Sequence, residues 1–215
     1  MLKRLLSKLH APVYRKRLEV LTSLLLPHLR DGDAVLDVGC GSGQLGIELM
    51  ERAKEKMINV RVSGLERLPR GDEAILVTHY DGRRFPFSDK AFDVVIVADV
   101  LHHENDPDAL LRECIRTSKR CVVIKDHQLS GRLAKARVSL IDWAANAPYG
   151  VACLYRYNTP AEWDSIIRKH QLTPLAVYSS IDLYPPMLNL LFGRGLQVLA
   201  ICRVPATAED QIVAA

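Results

Sequence analysis

Short apolar runs rich in β-branched residues alternate along the chain with segments whose apolar residues recur at helical spacing. The runs predict seven buried strands, near residues 34–38, 60–65, 75–80, 92–98, 120–125, 174–182 and 196–203. Helical spacing and two N-cap signals predict helices at 44–56, 107–117, 130–145 and from Thr159 onward. This order predicts an α/β fold: a doubly wound sheet with helices on both faces and its ligand site at the carboxyl ends of the strands.

The first 26 residues predict two further helices. The first is basic and amphipathic, with apolar residues at Leu2, Leu5, Leu6 and Leu9 and basic residues at Lys3, Arg4 and Lys8. It either packs on the domain, which we favour, or makes a weak contact with a membrane surface through residues 1–10. The second helix, at about 14–26, presents Leu18, Leu21 and Leu25 on one face.

The length and charge of the chain restrict its class. Its 215 residues suit one domain with a sizeable core, and a net charge of +4 is too small for a dedicated nucleic-acid binder. The five cysteines are scattered and form no C-x-x-C pair. We therefore expect reduced thiols in a cytoplasmic protein, with neither a disulfide framework nor a zinc site. Glycine and arginine interrupt the apolar stretch at 187–202, so it is not predicted to span a membrane.

The segment from Val35 to Gly43 carries the strongest chemical signal: an apolar strand, a glycine-rich turn and the start of a helix. Glycines let a backbone approach a ligand closely, and a helix N-terminus presents N–H groups to polar ligand atoms. Asp37 stands inside the strand, where a buried carboxylate costs free energy unless it is hydrogen-bonded. We therefore expect an adenine-containing cofactor at this turn.

Two cofactors compete for the turn. Residues 41–46 fit the dinucleotide pattern G-x-G-x-x-G, and Glu66 lies at about the right distance downstream to bind a ribose. The register argues against a dinucleotide, because that pattern begins where the strand ends, and this strand ends earlier, at Gly39. An acid inside the strand is also foreign to that fingerprint. A nicotinamide-dependent oxidoreductase is therefore the weaker alternative.

When the motif is aligned from the end of the strand, Val35 to Gly43 resembles the first motif of class I S-adenosylmethionine-dependent methyltransferases, V-L-D-x-G-x-G-x-G. The resemblance implies seven strands with the last one antiparallel, and S-adenosylmethionine as the cofactor, with S-adenosylhomocysteine as its product. It also implies that the turn and its acid hold the methionine part, Glu66 the ribose and Asp81 the adenine. The expected cofactor-binding residues are Asp37, Gly39, Gly41, Gly43, Glu66, Asp81 and Asp99.

The resemblance covers roughly residues 30–125. The segments 85–89, 92–95 and 100–103 are similar to the branch that includes quinone-biosynthesis methyltransferases. Two segments depart from it: Arg67-Leu68-Pro69 follows the second-strand acid, and Ser118-Lys119-Arg120 replaces the frequent K-P-G-G turn. We expect one domain over 1–215, with a helical cap at 1–29, a cofactor-binding half at 30–125, a substrate-side half at 126–204 and a frayed tail at 205–215.

Methyl transfer from a sulfonium needs a positioned acceptor and sometimes a base. His127 is the first candidate base, because it follows the fifth predicted strand at the ligand edge of the sheet. Asp126 either orients it or, together with it, caps the next helix. His103 is the second candidate, since this region lines the pocket in the resembling branch, whereas His102 is expected to pack in the core. A metal site of His102, His103 and Glu104 is not expected, because adjacent histidines diverge.

The polar, aromatic segment from Trp143 to Asn158 is predicted to be a loop at the ligand edge, where long loops often carry specificity. It resembles a set of uncharacterised bacterial methyltransferases with V-I-K-D-H, then N-x-P-x-G-V and two tyrosines. We expect Asn146, Tyr155 and Tyr157 to bind the acceptor, with Tyr157 also in the catalytic set. Alternatively, the tyrosines close the core with their hydroxyls at the surface. Cys40 is expected to pack rather than to act as a nucleophile.

Together these features predict S-adenosylmethionine-dependent methyl transfer to a small-molecule or lipid-like acceptor by in-line displacement. The basic N-terminal helix and the apolar segment 187–192 are candidates for a lid over a hydrophobic acceptor. A non-catalytic S-adenosylmethionine-binding regulatory module is the alternative from another class, because cofactor motifs indicate binding and not turnover.

Overall fold

The computed structural model describes residues 2–146, 153–193 and 195–206, and the side chains within them from residue 13 onward. The strands are β1 Ala34–Val38, β2 Arg61–Glu66, β3 Val77–His79, β4 Phe92–Ala98, β5 Ser118–His127, β6 Thr173–Tyr178 and β7 Gln197–Arg203. The α-helices are α1 Leu2–Leu25, α2 Gln44–Glu55, α3 Pro107–Thr117, α4 Ala134–Asn146, α5 Pro160–Lys169 and α6 Pro186–Phe192. Short 3₁₀ turns cover Leu26–His28 and Leu101–His103.

The strands form one sheet in the order β3-β2-β1-β4-β5-β7-β6. Strand β7 runs antiparallel to β5 and β6, and the other neighbouring pairs are parallel. This confirms the predicted doubly wound sheet with its last strand antiparallel. The strand order reverses between β1 and β4, and ligands of such sheets bind where it reverses. Val38 pairs with both Leu65 and Val97, so the carboxyl ends of β2, β1 and β4 lie level at that edge.

Helices cover both faces of the sheet because strand side chains alternate between faces and each face is apolar. On one face, α1 and α2 pack against a cluster that includes Val35, Val94 and Ile96. On the other face, α3 and α5 pack against Leu36 and Val95. The layers thus leave the carboxyl edge of the central strands as the place where loops meet.

The N-terminal region forms one continuous helix, Leu2–Leu25, where the sequence predicts two. Helix propagation adds one hydrogen bond per residue once a turn has formed, so neighbouring helical segments merge readily. Leu18, Leu21 and Leu25 are buried on its inner face, as predicted. The predicted membrane contact of residues 1–10 lies outside the residues whose side chains are described.

Several boundaries differ from the sequence prediction, and strand β5 is longer than predicted at both ends. Helix α4 begins at Ala134 rather than near residue 130. Strand β6 ends at Tyr178, although the apolar run continues beyond it. The run continues because the side chains of Ile181 and Leu183 are buried in the core. Helix α6 was not predicted as a helix.

Among the described helices, none is both long and apolar enough to span a membrane. Residues 207–215 of the predicted tail lie outside the described part of the chain.

Candidate functional site

The glycine-rich turn follows β1 at the edge where the strand order reverses. Gly39 has φ +68°, and a Cβ built on it would lie 2.4 Å from Cγ2 of Val100, so a side chain is excluded there. Gly41 has φ +57°, and a Cβ built on it would meet no heavy atom within 4 Å. Gly43 is the N-cap of α2 in a left-handed conformation. The turn therefore leaves open space beside the backbone of Gly41, as a site for a closely bound ligand requires.

Glu66 ends β2 directly against this turn. Its Oε2 accepts a hydrogen bond from the Gly41 backbone N–H at 2.9 Å, and its Oε1 accepts one from the Arg67 backbone N–H at 2.8 Å. The side chain is buried, and these two bonds fix the carboxylate at the open side of the turn. Its remaining lone pairs suit the paired hydroxyls of a ribose, and the ribose contact that the sequence implies for Glu66 stays a prediction.

Asp37 and Cys40 flank the start of the turn. Burial raises the pKa of Asp37 to about 7, and the charge of Glu66 acts in the same direction, while Arg17 opposes both. Burial and the same acids raise the pKa of the Cys40 thiol to about 12. The Cys40 sulfur fills the space above Gly64, where an added Cβ would lie 2.4 Å from it. Cys40 therefore packs in a protonated form, which makes it a poor nucleophile.

Asp81 follows β3, whose last residue His79 pairs with Glu66. Its side chain is exposed, and its Oδ1 accepts a hydrogen bond from the Arg83 backbone N–H at 2.9 Å. Asp81 is thus at the same edge of the sheet as Glu66, near the place that the sequence predicts for the adenine. Its contact with an adenine stays a prediction.

Asp99 belongs to a partly buried ion cluster just beyond β4. Its carboxylate accepts hydrogen bonds from Lys125 Nζ at 2.5 and 2.7 Å and from Arg17 at 2.6 Å. Burial alone would raise the pKa of Asp99, but Lys125 and Arg17 together hold it well below its usual range. Both carboxylate oxygens are therefore engaged by cations of this chain, so a direct cofactor contact of Asp99 stays a prediction. Neither Arg17 nor Lys125 belongs to a sequence motif, so the sequence gives no signal for this contact.

A second polar group, here called the histidine–aspartate cluster, comprises His102, His103, Asp126, Asp142 and Tyr157. His102 Nδ1 lies 2.6 Å from Asp126 Oδ1, and its Nε2 lies 3.5 Å from Asp142 Oδ1. His103 Nε2 lies 3.7 Å from the same Asp142 oxygen. The Tyr157 hydroxyl donates a 2.5 Å hydrogen bond to Asp142 Oδ2. The 3₁₀ turn and the segment around Tyr157 thus converge on the buried carboxylate of Asp142.

The charges of this cluster support one another. Burial lowers the pKa of His102, but Asp126 and Asp142 outweigh it and raise this pKa to about 10. Burial would raise the pKa of Asp142, but His102 and Tyr157 bring it well below its usual range. Burial and Asp142 raise the pKa of the Tyr157 hydroxyl far above its ordinary value. Tyr157 therefore stays protonated and acts as a hydrogen-bond donor near neutral pH.

His127 lies beside the cluster at the end of β5. Its ring centroid is 5.0 Å from that of His102 and 5.8 Å from that of Tyr157. Its Nδ1 lies 3.1 Å from the Gln197 amide, and its carbonyl accepts a 3.0 Å hydrogen bond from the Trp163 indole. Burial lowers the pKa of His127 to about 4, so the imidazole is neutral at physiological pH.

Both predicted roles of Asp126 are wrong. Its Oδ1 bonds the ring of His102, not the ring of His127. Helix α4 begins at Ala134, so neither Asp126 nor His127 caps it. The prediction that adjacent histidines diverge is also wrong, because the ring centroids of His102 and His103 lie 4.0 Å apart. The 3₁₀ turn that contains both residues directs them to the same side.

The predicted acceptor residues divide between two places. Asn146, at the end of α4, donates a 2.7 Å hydrogen bond to Asp142 Oδ1 and so joins the cluster, as does Tyr157. Tyr155 is exposed and lines a shallow pocket of about 600 Å³ with Leu140 and Trp143 of α4. The loop residues 147–152 between these positions lie outside the described part of the chain. Asp142 was missed because its sequence neighbours are those of an ordinary amphipathic helix.

Comparison with known proteins agrees with this geometry. A family model described as a methyltransferase domain matches residues 36–121. The chain is 31% identical to 27-O-demethylrifamycin SV methyltransferase of Amycolatopsis mediterranei over 101 residues, which are 43% of this chain and 36% of that protein. It is 27% identical to an uncharacterized methyltransferase of Schizosaccharomyces pombe over 172 residues, 61% of this chain and 62% of that one. The chain thus spans less than two thirds of either relative.

Solved structures share the fold at low sequence identity. A SAM-dependent methyltransferase from Aquifex aeolicus superposes with a TM-score of 0.60 at 18% identity, over 94% of this chain and 98% of that one. A Haloferax volcanii methyltransferase in complex with the Trm112 methyltransferase activator gives 0.63 at 18%, over 86% and 88%. The [4+2]-cyclase SpnF gives 0.62 at 15%, over 87% and 80%. The domain match over residues 36–121, the motif that ends β1 and this sheet are thus similar to those of class I methyltransferases, a family whose cofactor is S-adenosylmethionine.

Proposed function

We propose that this chain transfers a methyl group from S-adenosylmethionine to a small-molecule or lipid-like acceptor. One observation carries the proposal: the buried histidine–aspartate cluster lies at the same edge of the sheet as the glycine turn. The turn follows β1, whereas His102 follows β4 and Asp126 ends β5, and these three strands are neighbours in the sheet. An acceptor held at the cluster would therefore face a cofactor held at the turn.

S-adenosylmethionine supplies an activated methyl group on a sulfonium, so the chain needs to bind, orient and deprotonate rather than to supply a nucleophile. The open backbone at Gly41 and the fixed carboxylate of Glu66 fit its methionine and ribose parts. Asp37, whose pKa is about 7, can hold a proton and donate a hydrogen bond at that end of the cofactor.

The acceptor side divides into positioning groups and one base. Tyr157 and Asn146 hold Asp142 by hydrogen bonds, which makes them positioning residues. His103 has 15% of its side chain exposed and is the member of the cluster most open to a bound acceptor. His127 is neutral and can accept a proton from an acceptor hydroxyl or amine, although its low pKa makes it a weak base.

Exposed apolar side chains favour a hydrophobic acceptor. Leu140 and Trp143 of α4 are more than half exposed, as are Met187, Leu190 and Leu191 of α6. The Arg137 guanidinium donates a 2.5 Å hydrogen bond to the Leu191 carbonyl and joins the two helices. Apolar surface of this kind marks sites for apolar ligands or partners. It supports the proposed lid at 187–192, and with it a lipid-like acceptor.

Transfer of radiolabelled methyl from S-adenosylmethionine into an extract of the source cells tests the proposal. The extract is afterwards divided into organic, small aqueous and macromolecular fractions. We expect label in the organic or small aqueous fraction with the wild type and a loss of that label with Glu66→Ala. Label in the macromolecular fraction would contradict the proposed acceptor class. Intact S-adenosylhomocysteine binding without any label would favour a regulatory module. This outcome needs to be tested because a cyclase shares the fold, so the fold alone does not establish methyl transfer.

A cytoplasmic location and the absence of a nucleic-acid partner also belong to the proposal. No cysteine of the described residues forms a disulfide, which suits a reducing compartment. The net charge of +4 gives little electrostatic support for binding a nucleic acid.

A further inference from the structure

Three ligating atoms of the histidine–aspartate cluster converge on one point. His102 Nε2, His103 Nε2 and one carboxylate oxygen of Asp142 all lie within 4.8 Å of one another. The two histidine nitrogens are 3.5 and 3.7 Å from Asp142 Oδ1. Metal–ligand bonds of about 2.0–2.1 Å in tetrahedral geometry separate neighbouring ligand atoms by roughly 3.3 Å. The two nitrogen–oxygen separations are therefore within a few tenths of an ångström of the separation that a bound ion requires.

His102 points an unpaired nitrogen at this point. Its side chain is 3% exposed, and its Nε2 is buried without a hydrogen-bond partner within the described residues, being too far from Asp142 for a good hydrogen bond. Its other nitrogen is bonded to Asp126 at 2.6 Å. A carboxylate on one nitrogen of a histidine is the usual outer partner of a metal-ligating imidazole, because it fixes the ring and raises the basicity of the other nitrogen.

Asp142 is held in the same manner. Its side chain is fully buried; the Tyr157 hydroxyl bonds Oδ2 at 2.5 Å, and the Asn146 amide bonds Oδ1 at 2.7 Å. Ligating carboxylates are commonly fixed by such hydrogen bonds. The carboxylate is thus held beside both histidines before any ion arrives.

We infer that His102, His103 and Asp142 form a binding site for one divalent transition-metal ion of the zinc type. Two imidazoles favour such an ion over Mg²⁺ or Ca²⁺, which prefer oxygen ligands. Three protein ligands leave a fourth position open, as in catalytic rather than structural sites, and the partly exposed His103 lies on the open side. Where the proposed methyl transfer also holds, an acceptor oxygen occupies that position and loses its proton more readily.

No metal site of His102, His103 and Glu104 is expected from the sequence, because adjacent histidines should diverge, whereas the two rings lie on the same side of this 3₁₀ turn. The structure replaces Glu104 by Asp142, which comes from α4 and is remote in sequence. A competing occupant of the same place is a proton on His102 Nε2, which would turn the cluster into an ion pair without metal.

Calorimetric titration of the EDTA-treated full chain with ZnCl₂ decides between these occupants. We expect one tight zinc ion per chain and a loss of affinity of about 100-fold or more in Asp142→Asn. Asp126→Asn alters the outer partner of His102 and is expected to weaken zinc binding about 10- to 100-fold. The Asp126 Oδ1 also accepts a 2.6 Å hydrogen bond from the His127 backbone N–H. Asp108→Asn is the matched control, because Asp108 also contacts a histidine, His170 at 3.0 Å, but belongs to another part of the surface. Its zinc affinity should equal that of the wild type.

Two results would overturn the inference. One is the absence of tight binding by the wild type, and the other is binding that survives Asp142→Asn, as zinc held by cysteines would. If Asp142→Asn fails to fold, His103→Asn tests the same site, because that side chain is partly exposed. The readout is metal stoichiometry and affinity, so it stands apart from the outcome of the methyl-transfer assay.

Discussion

Replacing Gly41 by alanine separates the folding of the chain from the binding of its cofactor. A Cβ at this position meets no heavy atom within 4 Å, so the substitution creates no clash in the free protein. Its cost in stability comes from the backbone, because φ is +57° and an alanine in the left-handed region costs about 1–2 kcal/mol. For a chain of this size we expect the melting temperature to fall by roughly 2–8 °C.

The effect on binding should be larger. The Gly41 backbone N–H donates a 2.9 Å hydrogen bond to Glu66 Oε2, so Gly41 borders the site expected for the ribose. The new methyl group therefore takes up part of the space where the ribose and methionine parts are expected. We expect the affinity for S-adenosylhomocysteine to fall at least tenfold, which corresponds to about 1.4 kcal/mol.

Gly32→Ala is the matched control. Gly32 has φ +83° and likewise no heavy atom within 4 Å of an added Cβ, but it precedes β1 at the opposite edge of the sheet. It should lose similar stability and keep the wild-type affinity. Thermal unfolding and isothermal titration with S-adenosylhomocysteine measure both quantities. An unchanged affinity in Gly41→Ala, or an equal loss in the two variants, would refute the placement of the cofactor at this turn.

Three other predictions concern the two sides of the site. Glu66→Gln should weaken S-adenosylhomocysteine binding in the same titration, whereas Glu48→Gln on the outer face of α2 should not. Tyr157→Phe should lower the rate of label transfer and leave the cofactor affinity intact, because the Tyr157 hydroxyl orients Asp142. Tyr178→Phe is the control. A loss of folding in Tyr157→Phe would instead favour a core role for this side chain. The pKa of Asp37 is raised to about 7 in the folded, cofactor-free wild type. The protonated carboxyl therefore contributes its full stabilisation below about pH 4, and this contribution is lost as the pH rises through about 7. Chemical denaturation should show Asp37→Asn gaining up to about 4 kcal/mol on the wild type between those pH values, and parallel stability curves would contradict it.

The sheet and the cofactor edge follow from local sequence, and the acceptor side does not. Each strand is a short apolar run, and the turn after β1 carries its own glycine pattern, so both can be predicted without knowing what lies next to them. Asp142 has no such signal. It joins the histidine–aspartate cluster only because α4 packs against the 3₁₀ turn that holds His102 and His103, a contact between segments far apart in the chain.

The ion cluster beyond β4 illustrates the same limit. Arg17 belongs to the first helix, and Lys125 to an apolar strand, and each reads as an isolated cation in the sequence. The fold brings both to Asp99 because the carboxyl ends of β4 and β5 are neighbours and α1 crosses the same edge. Long-range pairing of charges depends on the topology, which local patterns predict only after the strand order is known.

A crystal structure of the chain with S-adenosylhomocysteine would test the proposed cofactor site directly. We expect the ribose hydroxyls within hydrogen-bond distance of the Glu66 carboxylate, the methionine part against the turn at Gly41, and the sulfur directed toward His103 and Asp142. A cofactor bound with its ribose away from Glu66, or with its sulfur separated from the histidine–aspartate cluster by protein, would contradict it.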